Sequence, residues 1–363
     1  MLRTKGWTSS FDGTEIYFEV YGNKTDKPPL VLCDGIGCFG YAWKYIYQDF
    51  MDDHTIVHWH YRGHGQSAMP EIKGIIPLTD LVRDMKAVFD RLGLPPAILV
   101  GHSMGVQVIL EFWRQHPDLV AGLVPMCGSY GNPLDTFHDN PVAKTIFPYL
   151  RRLFPKTEGL FRAFWSKAIG TELGYLVAIN TEVNGRLIKK DDFFPYLKDL
   201  SSVDPELFIN MLWGAQEHSA KEYLGSINVP TLIIGGERDG FTPVWLSEQM
   251  VRAIPGAQLL MVPQGSHTAL LEMPELVSLK LQKWMAQYFA PAAPAAPTVE
   301  APLVAPAAPA PKKAVKKAAK AAAPAPVAVK EEVAAPVEAA PVAPAAPAPK
   351  KAAKKTTKET PKA

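Results

Sequence analysis

One serine stands between two glycines in Gly101-His102-Ser103-Met104-Gly105, directly after the apolar run Ala97 to Val100 and directly before Met104 to His116, whose spacing suits a helix. A serine hydroxyl is a weak nucleophile at neutral pH. Held outward on a sharp strand-to-helix turn beside a base, it can attack an electrophilic carbon. The glycines serve such a turn, because backbones approach closely there and a strained serine exposes its Oγ. The competing reading of Ser103 is an ordinary helix N-cap.

A serine nucleophile needs a base in hydrogen-bond reach and a third group that orients the base. At an elbow of this kind the partners follow in the order acid, then histidine, each just past a strand. Gly235-Gly236-Glu237-Arg238-Asp239 follows a strand-like run from Thr231, and Gly265-Ser266-His267 follows one from Gln258. Asp239 is therefore the candidate acid, with Glu237 nearby as the other carboxylate, and His267 the candidate base. His102, next to the serine, reads as a packing or substrate-contact residue, since its place in the chain points it away from Ser103. His58, His60 and His64 have no Cys, Asp or Glu beside them to complete a metal-ligand set.

The elements that must position these residues alternate. Lys5 to Ser10 and Glu15 to Val20 read as a hairpin turning at Asp12-Gly13, followed by strand-like runs at Leu30 to Cys33 and Thr55 to Trp59. Leu78 to Leu92 has apolar residues at helical spacing and stops at Gly93, and Leu119 to Met126 reads as a strand. After Pro230 come strand Thr231 to Gly235, helix Val244 to Ala253, strand Gln258 to Val262 and helix Pro274 to Phe289. Such alternation implies an α/β fold with a mostly parallel sheet covered on both faces. Residues 132–227 break it with helical, aromatic-rich sequence, which reads as an insertion.

From Gly6 to Phe289 the chain resembles the α/β-hydrolase superfamily, of the serine esterase and lipase type with a helical lid. The resemblance rests on the elbow, on Arg62-Gly63-His64-Gly65-Gln66-Ser67, which is similar to the family's R-G-x-G-x-S turn, on Asp239 with Pro243, and on Gly265-Ser266-His267 with Glu272 and Pro274 beyond. It implies an eight-stranded core from residues 1–131 and 228–290, a lid over 132–227, and hydrolysis through an acyl-enzyme without a cofactor or metal. It also implies an oxyanion hole, with Met104 as one N–H donor and Ile36, in Asp34-Gly35-Ile36-Gly37, as the other. Asp34 stands where the family commonly has histidine. A carboxylate near a forming oxyanion would slow the reaction, so Asp34 is expected to turn away and bond within its loop. Dehalogenases and epoxide hydrolases of this fold use an aspartate nucleophile, which Ser103 argues against.

The aromatic side chains of residues 132–227 suit a cleft for an apolar acyl or aryl ester, a small-molecule or lipid-like substrate. Three alternatives stay open: an intracellular polyester depolymerase, a C–C bond hydrolase using the same three residues, and a non-catalytic binding protein on the hydrolase fold.

Composition divides the chain near Phe289. Residues 291–363 are almost entirely Ala, Pro, Lys, Val and Glu, with 12 Lys, 5 Glu and neither Arg nor Asp. That segment carries +7 in a chain whose total is +2, so the residues before it carry −5. Frequent proline and few large apolar groups imply a disordered tail, either a solvated tether or an arm with weak, salt-sensitive affinity for polyanions. Three cysteines without metal-ligand spacing suggest reduced thiols. With no secretory h-region at the start and no run of about 18 apolar residues, the chain reads as a cytoplasmic protein without a transmembrane segment.

Overall fold

The computed structural model describes residues 2–71 and 74–290. The tail and its expected polyanion binding lie outside the described residues.

The expected hairpin forms from β1 (Leu2–Ser9) and β2 (Glu15–Tyr21), antiparallel, with Gly13 at φ +86° in the turn. Then come β3 (Leu30–Cys33), α1 (Lys44–Phe50), β4 (Ile56–Trp59), α2 (Leu78–Leu92), β5 (Ala97–His102), α3 (Met104–Gln115) and β6 (Val120–Met126). After the helices described below, β7 (Leu232–Gly236), α9 (Val244–Ala253), β8 (Gln258–Val262), α10 (Ala269–Glu272) and α11 (Pro274–Phe289) complete the order. The eight strands form one sheet in the order β1-β2-β4-β3-β5-β6-β7-β8. Pairing is antiparallel for β1 with β2 and β2 with β4, and parallel from β4 to β8.

Every residue of β3, β4 and β5 is buried, as expected of apolar runs in a sheet covered on both faces. The pleat sends alternate side chains to opposite sides. Val31, Cys33, Ala97 and Leu99 join a core with α2, α3 and the end of α9, while Leu30, Leu32, Ile98 and Val100 join one with α1 and α11. Helix α2 has the expected bounds, and Gly93 closes it in the left-handed conformation at φ +58°. Pro117, unable to continue α3, opens the turn into β6. The short helices α1 and α10 were not anticipated from sequence. Cys33, Cys38 and Cys127 are free and buried.

Between β6 and β7 the described chain supplies helices: α4 (Pro133–Thr136), α5 (Val142–Ala168), α6 (Glu172–Thr181), α7 (Lys190–Ser202) and α8 (Pro205–Glu217). Two aromatic pairs join α5 to α8, with Phe147 stacked on Trp213 and Trp165 against Phe208.

Candidate active site

Ser103 occupies the junction of β5 and α3 at φ +55°, ψ −118°, a strained conformation for a residue with a Cβ. Its flanking glycines are required by close approach. A Cβ on Gly101 would lie 2.4 Å from the Gly105 carbonyl oxygen, and one on Gly105 would lie 2.2 Å from that of Cys33. The Ser103 side chain makes no cap hydrogen bond to α3. Its Oγ instead lies 2.9 Å from His267 Nε2.

His267 stands in the loop between β8 and α10. Its Nδ1 is 3.0 Å and 3.1 Å from the two carboxylate oxygens of Asp239, which follows β7. Asp239 also accepts the backbone N–H groups of Phe241 at 2.9 Å and Thr242 at 2.8 Å, and the Thr242 hydroxyl at 2.7 Å. Burial raises the Asp239 pKa, but the His267 charge and the hydrogen bonds from His267 and Thr242 outweigh it, so the carboxyl sits below its ordinary value. An ionised Asp239 makes Nδ1 the protonated nitrogen and leaves Nε2 free to accept from the serine hydroxyl. Glu237 is exposed and accepts from Gln264 instead.

Buried Glu272 holds the histidine loop. It accepts from Ser266 N at 2.7 Å, from the Ser266 and Thr268 hydroxyls, and from Asn184 N at 3.0 Å. His102 donates Nε2–H to the His267 carbonyl at 2.9 Å, and burial, followed by the charge of His267, pushes its pKa down to about 4. A neutral imidazole turned to the histidine loop is not a base for Ser103.

Met104 opens α3, so its N–H is one of those a helix start leaves without an intrahelical acceptor. The Ile36 N–H has no acceptor among the described residues. Both residues border Ser103 in the same cavity. Gly35 packs closely on the elbow, since a Cβ there would meet Ser103 Cβ at 3.1 Å and His102 Nδ1 at 3.4 Å. Asp34, 1% exposed, has both oxygens engaged: one accepts from the Trp43 indole at 2.7 Å and from Gly40 N at 3.3 Å, and the other lies 2.6 Å from His58 Nε2. The carboxylate thus bonds within its own loop, and also to a strand residue that sequence reasoning did not connect with it.

His64 supplies a further support that the sequence did not reveal. Its Nδ1–H donates to the Arg62 carbonyl at 3.1 Å, and its Nε2 accepts the Gly37 N–H at 3.1 Å. Burial depresses its pKa to about 4, which keeps Nε2 an acceptor. Arg62 is itself buried and bidentate to Asp84 at 2.8 and 2.7 Å. The three histidines with suggestive spacing serve separate partners, since His60 Nδ1 accepts from Gln66 N at 2.9 Å. Among the described residues no cluster of His, Cys, Asp or Glu could hold a metal.

Two cavities meet at the serine. One of about 470 Å³ runs between Cys38, Tyr196 and Leu197 and the side chains of Phe164, Leu173 and Val177. The other, about 390 Å³, runs past Met104 to Leu134, Ile146, Phe147 and Leu212. Ile36, Ser103, Phe208, Phe241 and His267 line both. The linings are mainly apolar, so the arrangement can seat a molecule with two apolar arms and a reactive group between them.

Residues 28–274 match the family described as alpha/beta hydrolase fold. The chain is 25% identical over 270 residues to the uncharacterized hydrolase YugF of Bacillus subtilis (strain 168), covering 74% of this chain and 93% of YugF. It is 26% identical over 270 residues to Protein ABHD8 of Bos taurus, across 74% of this chain and 58% of that protein, so it spans somewhat over half of ABHD8. A thermophilic esterase from Thermogutta terrifontis shares the fold, with a TM-score of 0.60 at 22% identity over 79% of this chain and 100% of that one. With well over half of its length matched, the chain belongs to the α/β-hydrolase family.

Proposed function

We propose that the protein is a serine hydrolase that cleaves an apolar carboxylic ester through an acyl-enzyme. The observation that carries this reading is the 2.9 Å approach of His267 Nε2 to an Oγ held at a strained elbow, with Asp239 behind the imidazole. Ser103 Oγ attacks the ester carbonyl while its proton passes to His267 Nε2. The carbonyl oxygen takes up negative charge beside the N–H groups of Met104 and Ile36. Collapse expels the alcohol, which receives the proton from His267. Water then attacks the acyl-serine, giving its proton to His267, and a second collapse returns that proton to Ser103 Oγ and frees the acid. Asp239 stays ionised and stabilises the imidazolium at each stage.

The two apolar cavities favour an ester with apolar groups on both sides, one cavity for the acyl chain and one for the alcohol. Residues 132–227 act as a lid in this reading, since Phe164, Leu173, Ile146 and Phe147 from that segment line the cavities. The buried free thiols suit a reducing, cytoplasmic setting.

The test is a series of p-nitrophenyl esters of increasing acyl length with the wild-type protein and Ser103→Ala. Turnover that favours apolar acyl groups over short polar ones and disappears in the variant supports the proposal. Equal turnover by the variant contradicts it.

A further inference from the structure

Helix α5 has two apolar faces, and the described residues cover only one. Phe154 is buried, Phe147 stacks on Trp213, and the Trp165 indole N–H donates to the Leu200 carbonyl at 2.8 Å. The other face is Ile146, Tyr149, Leu150, Leu153, Leu160 and Phe164, each between 46% and 77% exposed. At 3.6 residues per turn these positions fall on one stripe along the helix. Helix α6 adds exposed Leu173, Leu176 and Val177, and the two helices meet where Phe164, Leu173 and Val177 line the larger cavity. An exposed apolar stripe of this length marks a surface that something covers.

Charge indicates what covers it. Helix α5 carries Lys144, Arg151, Arg152, Lys156, Arg162 and Lys167 against a single acid, Glu158, although residues 1–290 carry −5 overall. Arg152, Lys156 and Lys167 are exposed and have no acidic partner among the described residues. Helical spacing sets Lys156 and Lys167 beside the stripe. A basic amphipathic helix with an apolar face matches an anionic lipid surface, where apolar side chains enter the acyl boundary and cations meet headgroups. A second copy fits less well, because a two-fold contact of stripe on stripe would bring the same free cations together. The chain's own residues 291–363 fit poorly too, since they carry +7 and have no aromatic residue.

We propose that the exposed face of α5 and α6 docks on anionic phospholipid. Ile146 and Leu150 line the smaller cavity and Phe164, Leu173 and Val177 the larger, so docking brings the mouths of both cavities to the lipid. Docking itself does not depend on Ser103 or on ester hydrolysis.

The experiment is co-sedimentation of the full chain with vesicles of phosphatidylcholine alone and of phosphatidylcholine with phosphatidylglycerol, at low and high salt. The variants are Ser103→Ala and the double substitution Leu153→Gln with Leu160→Gln, at positions that line neither cavity. The expected result is binding to the anionic vesicles that weakens with salt, persists in Ser103→Ala and falls by about tenfold or more in the double variant. Unchanged turnover of a short soluble ester by that double variant confirms its fold. Three outcomes overturn the proposal: no wild-type binding to anionic vesicles, equal binding by the double variant, which shows that the apolar stripe does not enter the lipid, or a wild-type dimer that the double variant converts to monomer.

Discussion

His64 Nε2 accepts the backbone N–H of Gly37 at 3.1 Å, joining the Arg62-to-Ser67 turn to the loop that presents Ile36 beside Ser103. A buried neutral imidazole therefore fixes the position of one proposed oxyanion donor, although His64 itself touches no reacting atom.

Replacing His64 with alanine leaves the Gly37 N–H buried without an acceptor and frees the loop. We expect kcat to fall by about 10- to 100-fold with little change in KM, less than outright loss of an oxyanion donor because the Ile36 N–H remains but is less well held. Gln, whose side-chain carbonyl can accept, should restore part of the rate. Steady-state kinetics of the two variants decides it. Equal loss in kcat for both, or a change confined to KM, contradicts the role.

Asp239→Asn keeps size but removes the charge that holds His267 in its productive tautomer. The expected loss is about 10⁴-fold in kcat with an intact fold. Circular dichroism and ester turnover check the pair of statements. A loss below tenfold would return attention to another acid.

The two glycines of the elbow should tolerate no side chain. Gly105→Ala places a Cβ 2.2 Å from the Cys33 carbonyl oxygen, a backbone atom that cannot move alone, and should destabilise by more than about 3 kcal/mol. Gly159→Ala in α5 meets nothing within 4 Å and should stabilise by about 0.5–1 kcal/mol. Urea denaturation of both variants gives the comparison its signs.

His60, His64 and His102 have folded pKa values pushed down to about 4, chiefly by burial, from an ordinary value of 6.5. Between those values the unfolded chain binds protons that the folded chain refuses. Stability is therefore full above pH 6.5 and falls as pH drops toward 4, by up to about 1.4 kcal/mol per pH unit for each group. Chemical denaturation from pH 7 to 4 should show the decline, and a flat profile would contradict the burial of these imidazoles as neutral groups.

Each cavity should govern one side of the ester. Ala143→Trp fills the smaller cavity and Ala178→Trp the larger. One should shift acyl-length preference and the other alcohol preference, each by roughly tenfold in kcat/KM. Two variants that shift the same side would contradict the division.

The strand and helix pattern was legible because β3 and β5 are short apolar β-rich runs and α2 has apolar residues at helical spacing between clear stops. The juxtaposition of Ser103, Asp239 and His267 was also legible, since order and loop position suffice to bring them together at the strand ends. The anchoring of Asp34 by His58 and of Gly37 by His64 was not. Those bonds depend on which way a ring points once β3 and β4 lie side by side, and no spacing along the chain encodes it. Nor did aromatic content distinguish the covered face of α5 from the exposed one, because both are apolar and only packing separates them.

The most direct test of the account is intact-mass and peptide mass spectrometry after treatment with a fluorophosphonate. The account predicts one adduct, on Ser103, absent from Ser103→Ala and slowed in Asp239→Asn. An unlabelled, folded wild-type protein, or an adduct on any other residue, would contradict a serine nucleophile at this elbow.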